Sequence, residues 1–317
     1  MSGLQAALVV LLLTALPVYA RAQTAIPTCG ASPSGSGTLD DLVVRHLAAV
    51  DEYRRTFRNL SALETKTIEL ISASGTPEKR REIVSDFVVY RSSRDETATE
   101  YRDVRSVDGK AIENRGERAL KLLTNAARAE SVKKELEAID RETRRYEFRR
   151  HLRGATASQG GIPKQWRETV HVELAGGERI AERDVLVLVY RQTSGPGSSL
   201  PLPKEFGNAN RRSQGRLWID RETCQLWRAV WELAASHPAA SEPLVMIHAE
   251  STYAPSSFGI LVPERIVFEW RQRFSHVKND VPSFGVSERT TFTYASFKRF
   301  GVATDEQLRV LDEQPKK

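Results

Sequence analysis

The sequence is poor in sulfur, with two cysteines and two methionines in 317 residues. Cys29 and Cys224 stand too far apart for a CxxC redox pair or an ordinary zinc knuckle. Signature motifs are missing as well: there is no G-x-S-x-G elbow, H-E-x-x-H helix, Walker A loop or strand–GxGxxG–helix unit. The six histidines, His46, His151, His171, His237, His248 and His276, are dispersed, and no two have metal-ligand spacing. No catalytic residue, metal ligand or cofactor site is therefore assigned. Charge of one sign is scarce too. Against 47 Lys+Arg stand 41 Asp+Glu, a net +6 with the signs intermingled, and nucleic acid is not the default partner. After residue 22 no run approaches the roughly 18 apolar residues of a membrane span.

What is present describes an exported globular chain. Hydrophobic residues make up 40% and charged residues 28%, enough apolar area to offset the entropy of ordering the backbone. At the N-terminus an apolar run from Ala6 to Leu16 meets Pro17, then Ala20-Arg21-Ala22 before Gln23. That is the layout of a secretory signal peptide over 1–22, so a periplasmic or secreted protein is expected. Residues 23–37 are rich in Ser, Gly and Pro and read as a flexible linker. In an exported chain Cys29 and Cys224 can form a disulfide, nominally worth about 4–5 kcal/mol for so long a loop. Two unpaired thiols are the alternative, because Cys29 lies in the linker.

Thr38 opens a helix signal, with Asp41 at capping-box spacing. Leu39, Leu42, Val43, His46, Leu47, Val50, Tyr53, Phe57 and Leu60 then recur at three- and four-residue steps, an amphipathic helix that must lie on something apolar. Strand patterns follow at 63–71, 82–91 and 97–107, the last closed by Asp108-Gly109. A helical patch covers about 114–146, with a break near Thr124-Asn125. Thereafter the pattern is strand after strand: 146–153, 166–174, 180–192, 214–220, 225–234, 244–253, 260–274 and 286–299. Turn chemistry lies at Gly176-Gly177, Asp220-Arg221 and Ala254-Pro255. Sequential antiparallel strands of this number suggest one large curled sheet. Val185–Tyr190 is apolar on both faces, so that strand is covered twice, and the two helical segments are the natural cover. Two Gly- and Pro-rich loops, 154–164 and 193–213, read either as lids or as unstructured connections.

The aromatic pattern supplies the candidate site. Trp227 and Trp231 share a parity with Ala229 and Leu233, and Phe268 and Trp270 share one with Ile266 and Phe274. A curled sheet with such a wall either fills its interior or leaves a cavity for an apolar ligand. Trp227, Trp231, Phe268 and Trp270 are the ligand-binding candidates, with Phe206 on the 193–213 loop as a lid.

Gly215-Arg216-Leu217-Trp218-Ile219-Asp220 leads into a hairpin. Leu261-Val262-Pro263-Glu264 starts a long strand, and Tyr294-Ala295-Ser296-Phe297-Lys298-Arg299-Phe300 closes the domain. With the leading helix and the helical insert, this order resembles bacterial exported proteins of the outer-membrane lipoprotein-sorting type (LolA/LolB/LppX-like), over about residues 38–302. The resemblance implies an α+β fold, an antiparallel half-barrel whose concave apolar face is capped by helices and holds acyl chains. The expected layout is a signal peptide, a linker, one domain over 38–302 and a polar tail over 303–317. The expected role is a non-enzymatic carrier or binder of a lipid or other hydrophobic ligand in the cell envelope. Two alternatives stand beside it. One is a filled-core module that binds an envelope protein or glycan. The other is an exported hydrolase, which needs His and carboxylates to converge in space.

Overall fold

The computed structural model describes residues 29, 38–91, 98–115, 118, 122, 129–147, 162, 168–194, 211–236, 242–274 and 283–300, with backbone alone at 129–133, 273, 274, 283 and 284. The expected leader (1–22), tail (303–317), helix break (124–125) and lid residue Phe206 lie outside these residues. So do the linker apart from Cys29, loop 154–164 apart from Ile162, and the strand expected over 146–153 apart from Tyr146, which ends a 3-10 turn, and Glu147.

Helix α1 spans Leu39–Thr56 and starts as its capping box dictates. The Asp41 amide donates to Thr38 Oγ1 at 3.2 Å, and the Thr38 amide donates to Asp41 Oδ2 at 2.9 Å. Its buried stripe is Leu42, Val43, His46, Leu47, Val50 and Tyr53. The helix stops short of the expected residue 60, because Asn59 takes a positive φ of 55° and turns the chain into the first strand.

Among the described residues, eleven strands form one antiparallel sheet: β1 (Leu60–Ile71), β2 (Pro77–Tyr90), β3 (Thr99–Val107), β4 (Lys110–Ala111), β5 (Val170–Ile180), β6 (Arg183–Gln192), β7 (Arg211–Asp220), β8 (Leu226–Ala235), β9 (Leu244–Pro255), β10 (Leu261–Phe274) and β11 (Ser283–Arg299). Their order is β4-β3-β2-β1-β11-β10-β9-β8-β7-β6-β5. The chain enters mid-sheet at β1, winds out to one edge, jumps to the far edge and returns strand by strand until β11 lies beside β1. The sheet is not closed into a barrel. The expected turn at Gly176-Gly177 is instead a bulge within β5, with Gly176 at φ 137°, and the chain reverses four residues later at Ala181-Glu182.

Register separates the two faces. One row runs Leu188–Leu217–Ala229–Ser251–Ile266–Phe292–Lys66–Ile83 from β6 to β2. This face carries α1, and the core cluster joins α1 residues to Leu60, Phe87, Leu188, Leu217 and Phe292. It is also the concave face. Glu100 on β3 acts electrostatically on Tyr253 on β9, whereas five strand spacings in a flat sheet would part them by about 24 Å.

The expected helical cover divides between the faces. Helix α2 (Ala129–Thr143) sets Leu136 and Ile139 against Val88 and Tyr101. These two strand residues have the opposite parity to Phe87 and Val89, so α2 lies on the convex side. Asp103, also on that side, accepts from Arg115 at 3.1 Å and Arg118 at 2.9 Å, and both arginines pair with Glu142 of α2. The 3-10 turn after α2, Arg144–Tyr146, rounds the sheet edge. It brings Tyr146 against Ile68, Ile83 and Val104 of the concave face.

Candidate functional site

The concave face has three zones along the strand direction. At the α1 end the helix seals the sheet. His46 is fully buried, and its Nδ1 lies 3.1 Å from the Cys224 carbonyl. Burial holds its pKa down at about 4, so the ring is neutral and Nδ1–H donates to that carbonyl. Cys29 and Cys224 are joined as a disulfide, with Cα atoms 5.2 Å apart. Arg45 donates to the Cys29 carbonyl at 3.1 Å, so α1 is fastened to this corner on both sides of the bridge.

The middle zone holds charges that alternation alone does not flag. Arg102, 1% exposed, donates through Nε to both Glu64 oxygens at 2.8 and 3.0 Å, and through Nη2 to Glu100 at 3.1 Å. Its guanidinium lies over Phe87 and Phe292, 5.0 and 5.7 Å from the ring centroids. Burial works against its charge, but Glu64 and Glu100 outweigh that cost and raise its pKa well above the ordinary value. Lys66 pairs with Glu147 at 2.5 Å, both side chains nearly inaccessible. Burial lowers the lysine pKa and Glu147 opposes the shift. Tyr53, Tyr253 and Tyr294 surround this centre, each phenol pushed up by burial.

The third zone lies beyond α1, toward the ends of β6, β8 and β10 from which the 193–210, 236–243 and 275–282 connections leave; residues 211–213 of the expected loop belong to β7. Here the row is Tyr190–Gly215–Trp231–Ala249–Phe268–Thr290, large and small residues in alternation. Trp270 stands in the next row with Leu233 and Ile247. Trp231, Phe268 and Trp270 are half-buried. Trp231 and Phe268 both pack against the main cluster, and Trp231 and Trp270 both pack against a smaller one of Leu233, Ala235, Met246 and Ile247. The Trp231 Nε1 donates to Ser213 Oγ at 3.1 Å. The fold thus brings three of the four candidate wall residues together. Trp227 stands apart: it is the extra residue of the β7–β8 bulge, buried at the α1 end.

Sequence reasoning missed Glu64, Lys66, Glu100, Arg102 and Glu147. The available signal was parity, since Glu64 and Lys66 share a face with Ala62 and Ile68. Charges on both parities of 77–107 hide the same pattern in β3.

The convex face of β6–β8 holds a cleft of about 640 Å³ lined by Arg191, Gln214, Arg216, Trp218, Arg228 and Glu232 among others. Glu232 accepts from Gln214 at 2.9 Å and pairs with His248 at 3.1 Å. The hydrogen bond to Glu232 raises the His248 pKa, and the same bond lowers that of Glu232. Among the described residues no three His, Cys, Asp or Glu side chains gather as a metal site, and no helix is long and apolar enough to cross a membrane.

No family model matches the chain, and no curated protein matches it. Three solved structures are similar to it over most of its length. An outer membrane lipoprotein-sorting protein domain from Vibrio parahaemolyticus covers 85% of this chain and 98% of its own, at 10% identity and a TM-score of 0.36. A DUF1329 family protein from Desulfovibrio piger covers 82% and 92%, at 9% identity and 0.31. A LolA superfamily protein from Nitrosomonas europaea covers 82% and 94%, at 12% identity and 0.28.

Proposed function

We propose that the protein is an exported, non-enzymatic carrier or binder of a lipid or other hydrophobic ligand in the cell envelope, periplasmic or secreted. The observation that carries this reading is the half-buried trio Trp231, Phe268 and Trp270 on the part of the concave face that α1 does not reach. A concave wall of large rings set between Gly215, Ala249 and Thr290 suits an elongated apolar body. Covering such a ring on binding contributes roughly 1.5–3 kcal/mol.

The test is uptake of N-phenyl-1-naphthylamine by the mature protein, followed by native mass spectrometry before and after organic extraction. Trp231→Ala should weaken uptake by about tenfold or more while circular dichroism stays unchanged. Uptake that survives with only a lower Tm would make the tryptophans a packed core. The convex cleft, with exposed Arg191 and Arg216, would then favour the second reading, a module that binds an envelope protein or glycan.

A further inference from the structure

The cleft of about 640 Å³ on the convex face carries more cationic donors than its own acids answer. Among the described residues Arg191, Arg216 and Arg228 line it against Glu178 and Glu232, a surplus of one positive charge. Both carboxylates already hold donors. Glu178 accepts from Trp218 Nε1 at 2.9 Å, and Glu232 accepts from Gln214 at 2.9 Å beside its pair with His248. Arg228 is answered by Glu250 at 2.7 Å and lies over the Trp218 ring, 4.5 Å from its centroid. Arg191 and Arg216 are exposed, and neither has a hydrogen-bond or ion-pair partner among the described residues.

Register sets these two arginines side by side. Arg191 on β6 is opposite Gln214, and Arg216 stands two residues further along β7 on the same face. Diagonal neighbours of this kind are about 7–8 Å apart, within reach of long side chains. Two guanidinium forks at that spacing can take one carboxylate between them. In its own row Arg216 lies between Val189 and Val230, which also line the cleft and give it a small apolar floor.

Size and charge together restrict the ligand. The volume is that of a small-molecule site, and one carboxylate balances the surplus charge. A bare inorganic anion would leave most of the cleft unfilled and gain nothing from Glu178 and Glu232. A fatty acid would lay its chain against those two carboxylates and strip water from them without return. Hydroxyl groups put the same carboxylates to use, because each keeps lone pairs beyond those its present donors occupy. The C–H face of a sugar ring suits the floor at Val189 and Val230.

We infer that the convex cleft binds a sugar acid, its carboxylate shared by Arg191 and Arg216 and its hydroxyls donating to Glu178 and Glu232. The site lies on the face opposite the aromatic wall, so the inference is independent of the hydrophobic-ligand reading.

The experiment is calorimetric titration of the mature protein, at low ionic strength and neutral pH, with glucuronate, glucose, acetate and a tetra-aspartate peptide. Glucuronate should bind about tenfold more tightly than glucose or acetate. Arg191→Gln, and independently Arg216→Gln, should weaken glucuronate by about tenfold. Tm should hold in both, because each side chain is exposed and without a partner. Arg265→Gln removes an exposed arginine of β10 outside the cleft and should leave the affinity within about twofold. Acetate binding as well as glucuronate would reduce the cleft to a patch of charge and overturn the inference. Glucose binding as well overturns it from the other side, since the arginines would then have no role. Tighter binding of the peptide makes the cleft a surface for an acidic protein segment and overturns it too. An equal loss in Arg265→Gln, or no binding of glucuronate, does the same. Uptake of N-phenyl-1-naphthylamine, read separately, should be unchanged in Arg191→Gln, so failure at the cleft leaves the hydrophobic-ligand reading standing.

Discussion

His46 is where a single proton bears most directly on this fold. Its ring lies in the seam between α1 and the β7–β8 turn, and burial depresses its pKa from 6.5 to about 4. The unfolded chain therefore binds the proton more readily than the folded one between those two values. Stability is intact above about pH 6.5 and is lost as pH falls toward 4, at up to about 1.4 kcal/mol per pH unit. At pH 4.5 the loss from this residue alone should be on the order of 2–3 kcal/mol. His46→Asn keeps a donor for the Cys224 carbonyl and cannot be protonated. Urea unfolding at pH 7 and pH 4.5 should show a smaller acid loss in the variant by about that amount. Parallel pH dependence in the two proteins would place the acid-sensitive group elsewhere.

Of the described glycines, Gly215 leaves a side chain the least room, where β6, β7 and β8 meet. A Cβ there would sit 2.0 Å from the Val230 carbonyl oxygen and 2.9 Å from both Cε1 and the hydroxyl of Tyr190. Both obstacles are fixed, one by the β7–β8 ladder and the other by burial to 1% exposure. Gly215→Ala should cost about 3 kcal/mol in urea unfolding. Gly177→Ala, whose nearest neighbour is 3.4 Å away, should be close to neutral. Equal losses in the two variants would mean that the close approach at Gly215 does not set the cost. This meeting of strands also marks where the sequence could be read and where it could not. The run Val185–Tyr190 is apolar on both parities, and β6 is covered on both faces as that pattern implies. The strand series from β6 to β11 was legible for the same local reason, since alternation needs only near neighbours. The pairing of β1 with β11 was not, because it joins segments more than 200 residues apart and no local pattern encodes it. Placement of α2 on the convex side escaped for a related reason: its narrow stripe fits either face. In the candidate site, the grouping of Trp231 with Phe268 and Trp270 follows from period-two parity. Trp227 departs from it because one bulge residue resets the parity, and a bulge leaves no mark in Leu226–Ala235. The buried Arg102 centre was hidden because its charges resemble those of a solvated strand.

Across the whole molecule, the Cys29–Cys224 bridge spans 195 residues and ties the chain ahead of α1 to the turn between β7 and β8. Closing a loop of that length removes entropy from the unfolded chain worth nominally about 5 kcal/mol, and measured values for disulfides more often fall at about 2–4. Its position matters as much as its size. The bridge, His46 and Arg45 all fasten the α1 end of the concave face, whereas Trp231, Phe268 and Trp270 stand at the opposite end of the strands. Cys29→Ser/Cys224→Ser should therefore separate two properties of the protein. The unfolding free energy should fall by about 2–5 kcal/mol, and N-phenyl-1-naphthylamine affinity should stay within about twofold of the parent, because no residue of the aromatic wall loses a neighbour. A fall in affinity matching the fall in stability would place the ligand under α1. The helix would then be part of the site itself, with the cleft of about 230 Å³ between Tyr53 and Leu261 as its mouth.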